Sequence, residues 1–201
     1  MAFYIFPNAI PKKDCKIYLD YCINNSTFTD ASIIKEGFPD TQNERNKKSE
    51  ETIVDKRKTQ VSFITDKENM MNELVWGFIR QANVEYFNYK LEYFQPIQFA
   101  RYEDGGHYDW HQDSSPQDIG KECRKLSLTM SLTDHTLYDG GMLQFYNGGK
   151  PHEYKDRNVD ADIKSVGTVI VFDSRDWHRV TPVTNGIRYS IVCWTVGPHF
   201  I

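Results

Sequence analysis

The chain predicts a mainly β fold with flanking helices, and three observations carry that reading. First, the stretch after Pro96 is a series of short β-rich runs: IQFARY, KLSLTMSLT, GMLQFY, GTVIVF and RYSIVCWTV. Second, these runs are separated by GG, DGG, NGG, SVG and TNG turns, the pattern of a β-sandwich or barrel. Third, the part before residue 95 contains two segments with apolar residues at helical spacing. At 201 residues the chain suits one domain with enough length to bury a core. The expected organisation is helices first, covering one outer face of a sheet (residues 1–94), then the β structure (95–201).

The elements follow in order. Residues 3–6 read as a strand ended by Pro7. Residues 12–24 carry Cys15, Leu19, Cys22 and Ile23 along one side, so a helix is expected. Residues 35–58, KEGFPDTQNERNKKSEETIVDKRK, are charged and nearly free of large apolar side chains. Such a stretch buries little surface and is expected as a mobile loop, either a lid or a plain insertion. TQVSFI at 59–64 reads as a strand. Residues 67–88 read as a helix with Met70, Leu74, Phe78, Ile79, Ala82 and Tyr86 on one face.

Composition narrows the classes. Hydrophobic content is 39% and charged content 26%, ordinary for a globular protein. The net charge of -4 counts against a general nucleic-acid binder, whose surface is usually basic. No apolar run reaches the length of a membrane span, and MAFYIFPNAIPKK lacks the basic start of a signal peptide. Cys15, Cys22, Cys123 and Cys193 are scattered without a C-x-x-C pair. Reduced thiols and a cytoplasmic location are therefore expected, with no membrane partner.

The chemistry concentrates in two places. GGHYDWHQD holds two overlapping H-x-D units, His107/Asp109 and His111/Asp113, and His178 lies 65 residues past Asp113. Two imidazoles and one carboxylate can hold one face of an Fe(II) ion and leave the other positions open for a co-substrate and dioxygen. On a strand, residues two apart point to the same side, so either H-x-D could supply two ligands. Spacing alone does not choose between them. Arg188, ten residues past His178, is a candidate anchor for a carboxylate, because its planar fork matches that group.

The segment RYEDGGHYDWHQD resembles the metal-binding strand of the prolyl 4-hydroxylase-like 2-oxoglutarate/Fe(II)-dependent dioxygenase family. Tyr102, Gly105, Gly106, Tyr108, His111 and Asp113 match that family's pattern in order. GGMLQFY and GTVIVFDSRDWHRVTPVTNGIRYSIVCW are similar to its downstream strands, so the likeness covers roughly residues 95–196, with a weaker match at RKTQVSF. The resemblance implies a double-stranded β-helix, a jelly-roll or cupin-like barrel. It implies iron held by His111, Asp113 and His178 over the His107/Asp109 alternative. It implies 2-oxoglutarate bound by Arg188 and Tyr102, with Arg188 standing where relatives often have Lys. Tyr108 and Trp194 would wall a proline pocket. The implied reaction uses O2 and converts 2-oxoglutarate to succinate and CO2 while hydroxylating a C–H bond, with ascorbate as an accessory reductant. A proline-containing peptide or protein is the expected substrate. A free amino acid, a small metabolite or an alkylated nucleobase are the alternatives, and a non-catalytic cupin-like binding module is the third class.

Overall fold

The computed structural model describes residues 3–31, 56–65, 70–114, 122–147, 158–160 and 165–200. Most of the expected loop 35–58, and part of the 114–124 connection, lie outside these residues. The end of that loop is ordered structure: Arg57 and Lys58 form a strand instead of a solvated arm. Cross-strand backbone pairing holds them there, which their charged side chains do not announce.

The first part contains β1 (Phe3–Phe6), α1 (Lys12–Asn24), β2 (Thr29–Asp30), β3 (Arg57–Lys58), β4 (Gln60–Ile64) and α2 (Asn72–Ala82). A single π-helical turn at Asn83–Phe87 extends α2 and ends at Asn88 in the left-handed region. The second part contains β5 (Tyr93–Phe94), β6 (Ile97–Glu103), β7 (His107–His111), β8 (Cys123–Ser131), β9 (Tyr138–Gly140) and β10 (Leu143–Tyr146). It ends with β11 (Asn158–Asp160), β12 (Val169–Asp173), β13 (His178–Val180) and β14 (Val183–Gly197).

The strands form two sheets with antiparallel pairing throughout. The large sheet runs β1-β12-β8-β14-β6-β4-β2, with β5 and β9 also pairing with β14. The small sheet runs β11-β10-β13-β7-β3. The two sheets face each other as in a jelly roll and are not closed into a barrel, because no strand of one pairs with a strand of the other among the described residues.

Strand alternation divides the core into two compartments. Leu126, Leu128 and Met130 of β8, Val169 and Val171 of β12, and Ile191 and Cys193 of β14 face the helices. There they meet Cys15 and Cys22 of α1 and Val75, Ile79 and Ala82 of α2. The helices thus cover the outer face of the large sheet. Ile170, Phe172, Leu143, Phe145 and Val180 fill the space between the sheets. The long apolar runs of the sequence come from strands covered on both faces. The expected face of α2 is corrected at its ends. Met70 and Tyr86 are exposed, since Met70 precedes the helix and Tyr86 falls in the π turn, where the residue phase changes.

All four cysteines are buried free thiols. Burial pushes Cys15 up to about 11 and Cys22 and Cys193 up to about 12, so these three sit as inert apolar side chains. No helix among the described residues is long and apolar enough to cross a membrane.

Candidate metal centre

His111 ends β7, His178 begins β13, and the two are direct cross-strand partners. Asp113 lies beyond the end of β7, in a bend whose N–H donates to the Ser174 carbonyl at 2.9 Å. The ligand atoms of the three side chains all lie within 4.8 Å of one another. His111 Nε2 is 3.6 Å from Asp113 Oδ1, and His178 Nε2 is 3.4 Å from Asp113 Oδ2.

Each imidazole is oriented by its own backbone. His111 Nδ1 is 2.8 Å from the Asp109 carbonyl, and His178 Nδ1 is 2.9 Å from the Asp176 carbonyl. A carbonyl only accepts, so each Nδ1 donates, and Nε2 is the ring nitrogen turned toward Asp113 and the other imidazole. Burial pushes His111 well below the ordinary histidine range, with the neighbouring His178 acting in the same direction. Burial alone would raise Asp113, but the two histidines and the Ser127 hydroxyl outweigh it and hold the carboxyl at about 2. The centre therefore offers two imidazole nitrogens and one carboxylate, the donor set that suits a ferrous ion with open positions.

The choice between the two H-x-D units is made by a β-bulge. Tyr108 pairs with Val180 and His111 with His178, so three steps along β7 (108 to 111) oppose two along β13 (178 to 180). In a regular strand His107, Asp109 and His111 would share one face. The extra residue shifts the phase, so Tyr108 and His111 both line the cavity between the sheets while His107 and Asp109 do not. Trp110 turns away, onto Tyr146 and beneath the Arg179 guanidinium. The expectation that both ligands stand on one strand is thus corrected: His111 is placed by the bulge and Asp113 by the Ser174 turn.

Ser127 of β8 donates to Asp113 Oδ2 at 2.7 Å and shares a 2.9 Å hydrogen bond with Ser174. Sequence reading missed Ser127, which looks like any alternate position of a β run. Its signal was the polar alternation of KLSLTMS, in which serine and threonine take the inner face.

The cavity has a volume of about 270 Å3. Arg188 lies on its wall, 1% exposed, with Nη1 on the Ser190 hydroxyl at 3.2 Å. Its Nε is buried without a hydrogen-bond partner, and no described carboxylate pairs with it. A buried guanidinium left partly unpaired is a ready anion site, and it fits the distal carboxylate of 2-oxoglutarate. Tyr102 is the cross-strand partner of Arg188, with the guanidinium 5.2 Å from its ring centre. Space for the arginine depends on Gly141: a Cβ there would stand 2.8 Å from Arg188 Cδ, at a backbone φ of +59°.

Trp194 shares the inner face of β14 with Arg188, Ser190 and Val192, as the even spacing predicts. The Arg124 guanidinium lies 4.0 Å from a Trp194 ring centre. Tyr108 is stacked on His111 at 3.4 Å, and Arg57 lies 4.3 Å from the same phenol ring centre. With His111 against one face and Arg57 against the other, Tyr108 lines the cavity by its edge, not by an open face. Arg57 and Arg124 were not foreseen as site residues.

A model of the 2OG-Fe(II) oxygenase superfamily matches residues 97–196, the stretch that contains every one of these groups except Arg57. The chain belongs to the 2OG-Fe(II) oxygenase superfamily. Membership implies Fe(II), 2-oxoglutarate and O2, and the His-Asp-His cluster is compatible with the iron. A PKHD-type hydroxylase of Pseudomonas paraeruginosa is 33% identical over 109 residues, 52% of this chain and 44% of the relative. One of Cupriavidus pinatubonensis is 34% identical over 103 residues, covering 49% and 42% respectively. The chain thus spans less than half the length of these relatives. The fold is shared with a Pseudomonas putida prolyl-4-hydroxylase at a TM-score of 0.66 and 19% identity, covering 98% of this chain and 93% of that one. It is also shared with a Trichoplax adhaerens prolyl hydroxylase, solved with a hypoxia inducible factor peptide fragment, at a TM-score of 0.69 and 18% identity, covering 96% and 82%.

Proposed function

We propose that this protein is a 2-oxoglutarate- and O2-dependent Fe(II) dioxygenase that hydroxylates a prolyl C–H bond in a peptide or protein and releases succinate and CO2. The observation that carries the reading is the shared cavity: His111, Asp113 and His178 converge there within 4.8 Å, and the buried Arg188 faces the same space. Prolyl hydroxylases among the structural neighbours, one of them peptide-bound, support the substrate class.

His111, Asp113 and His178 would hold the iron through Nε2, a carboxylate oxygen and Nε2, and bound iron supplies the activation of dioxygen. Arg188, aided by the Tyr102 hydroxyl, orients 2-oxoglutarate by its far carboxylate. Fixing both ends of the co-substrate removes rotational freedom before the reaction begins. Ser127 fixes the Asp113 carboxylate through Oδ2. Apolar walls from Leu143, Phe172 and Val180 keep bulk water from the centre. Trp194 and the edge of Tyr108 border the remaining space, where the substrate would lie.

The test is succinate release by the protein with Fe(II) and 2-oxoglutarate, with proline-rich peptides, free proline and methylated DNA in separate arms. Stimulation by the peptides, with hydroxyproline in the product, is expected. Stimulation confined to free proline or DNA overturns the substrate class, and absence of turnover in every arm overturns the enzyme reading.

A further inference from the structure

The cavity carries more positive charge than its chemistry uses. Among the described lining residues there are three arginines, Arg57, Arg124 and Arg188, and Asp113 is the one acid. With iron and 2-oxoglutarate in place, the two positive charges of the ion and the one of Arg188 balance the Asp113 carboxylate and both co-substrate carboxylates. The ion must be counted in any such balance. Arg57 and Arg124 then remain. Arg124 is committed: it donates to Gln95 Oε1 at 2.8 Å and to the Asp113 carbonyl at 3.4 Å, and it lies over Trp194.

Arg57 is different. It forms no ion pair with a described carboxylate, and its Nε is buried without a hydrogen-bond partner. Among the described residues its guanidinium packs on the Tyr108 ring, which is itself stacked on the metal-side imidazole of His111. The placement comes from the backbone: β3 pairs with β7, with Arg57 opposite Tyr108. Anything bound by this guanidinium lies beside the metal ligands, not on a remote surface.

We propose that Arg57 is a substrate-binding residue that takes a carboxylate, so that the substrate carries an acidic group close to the carbon that is oxidised. The proposal rests on the dioxygenase reading above and adds the charge of the substrate. A partly desolvated guanidinium with no counter-ion among the described residues is costly, and a planar carboxylate satisfies it through two parallel hydrogen bonds. Arg57 also covers a face of Tyr108 on which a proline ring would otherwise stack, so recognition at that wall is ionic and not apolar. Two sources present the same chemistry: an acidic side chain flanking a target residue in a peptide, or the α-carboxylate of a free amino acid.

The experiment measures binding by calorimetry under nitrogen, with the full chain loaded with Mn(II) and saturating 2-oxoglutarate. Three ligand pairs differ only in the carboxylate: a blocked Ala-Pro-Asp peptide against Ala-Pro-Asn, free proline against prolinamide, and benzoate against benzamide. The acidic member of a pair is expected to bind about tenfold tighter, as for a charge-assisted bidentate contact. Arg57→Gln should bring that ratio close to one, Arg57→Lys should restore part of it, and Arg57→Glu should favour the neutral member. The pair that responds identifies the source. Benzoate and benzamide contain no proline, so a preference there with no binding of either proline pair keeps the Arg57 site and rejects the prolyl reading. A ratio of one in the wild type for all three pairs, or a ratio unchanged by Arg57→Gln, overturns the proposal.

Discussion

The two faces of the central strands of the large sheet do different work with the same backbone. Toward the helices, β8 and β14 present Leu126, Leu128, Met130, Ile191 and Cys193, all essentially inaccessible. Toward the small sheet the same strands present Ser127, Thr129, Arg188 and Ser190, also almost fully buried. Burial is equal, yet one face is apolar and the other polar. The apolar face removes surface from water, at about 25 cal/mol per Å2. The polar face costs stability unless its groups find partners, and it retains one unsatisfied guanidinium. Buried polarity that the core does not require marks the site more sharply than the fold itself does.

Changes on the two faces should therefore separate function from stability. The largest effect is expected for Asp113→Ala, which removes the carboxylate ligand and should abolish 2-oxoglutarate-dependent succinate formation; near-normal turnover in that variant would sink the metal assignment. Arg188→Met should weaken 2-oxoglutarate by roughly 10- to 100-fold, as expected when a charged hydrogen bond is lost, read as the co-substrate half-saturation concentration. Gly141→Ala should move in the same direction, because its methyl group displaces Arg188 Cδ.

On the opposite face, Leu128→Ala should cost about 2–5 kcal/mol of stability through the cavity it leaves, while the protein that remains folded keeps its metal affinity. Equal losses of stability and metal binding would dissolve the contrast between the faces. Ser127→Ala should lower metal affinity by roughly tenfold, the scale of an outer hydrogen bond to a ligand, with little change in melting temperature.

The smallest effect concerns pH. In the metal-free protein the folded values of both His111 and Asp113 lie below their unfolded ones. The unfolded chain therefore binds more protons, and stability should fall as pH drops, first below about 6.5 through His111 and then between about 4 and 2 through Asp113. The check is a melting series without metal, in which His111→Ala flattens the upper limb. A melting temperature that rises on acidification contradicts the assignment.

Much of this was legible in residue order. Helical spacing at 12–24 and the β runs after Pro96 report burial of one face or both, which is a local property of the chain. The motif around Tyr102, Gly105, Gly106, Tyr108, His111 and Asp113 pointed to two members of the His-Asp-His cluster, and the even spacing of Arg188 and Trp194 placed both on one inner face. The bulge was not legible, because an extra residue in β7 exists only relative to β13. Nor were Ser127 and Arg57, whose partners lie 14 and 51 residues away in the chain.

What the sequence determined by itself is the main helices, the long strands and the donor types, since periodicity and side-chain chemistry belong to each segment alone. What only the tertiary structure decided is which donors meet. Pairing of β7 with β13 and β3 selects His111 over His107 and brings Arg57 to Tyr108, and the Ser174 turn carries Asp113 to both histidines. The physical reason is that register between strands distant in sequence is fixed by packing of the whole sheet, and a shift of one residue reverses which side chains face the cavity.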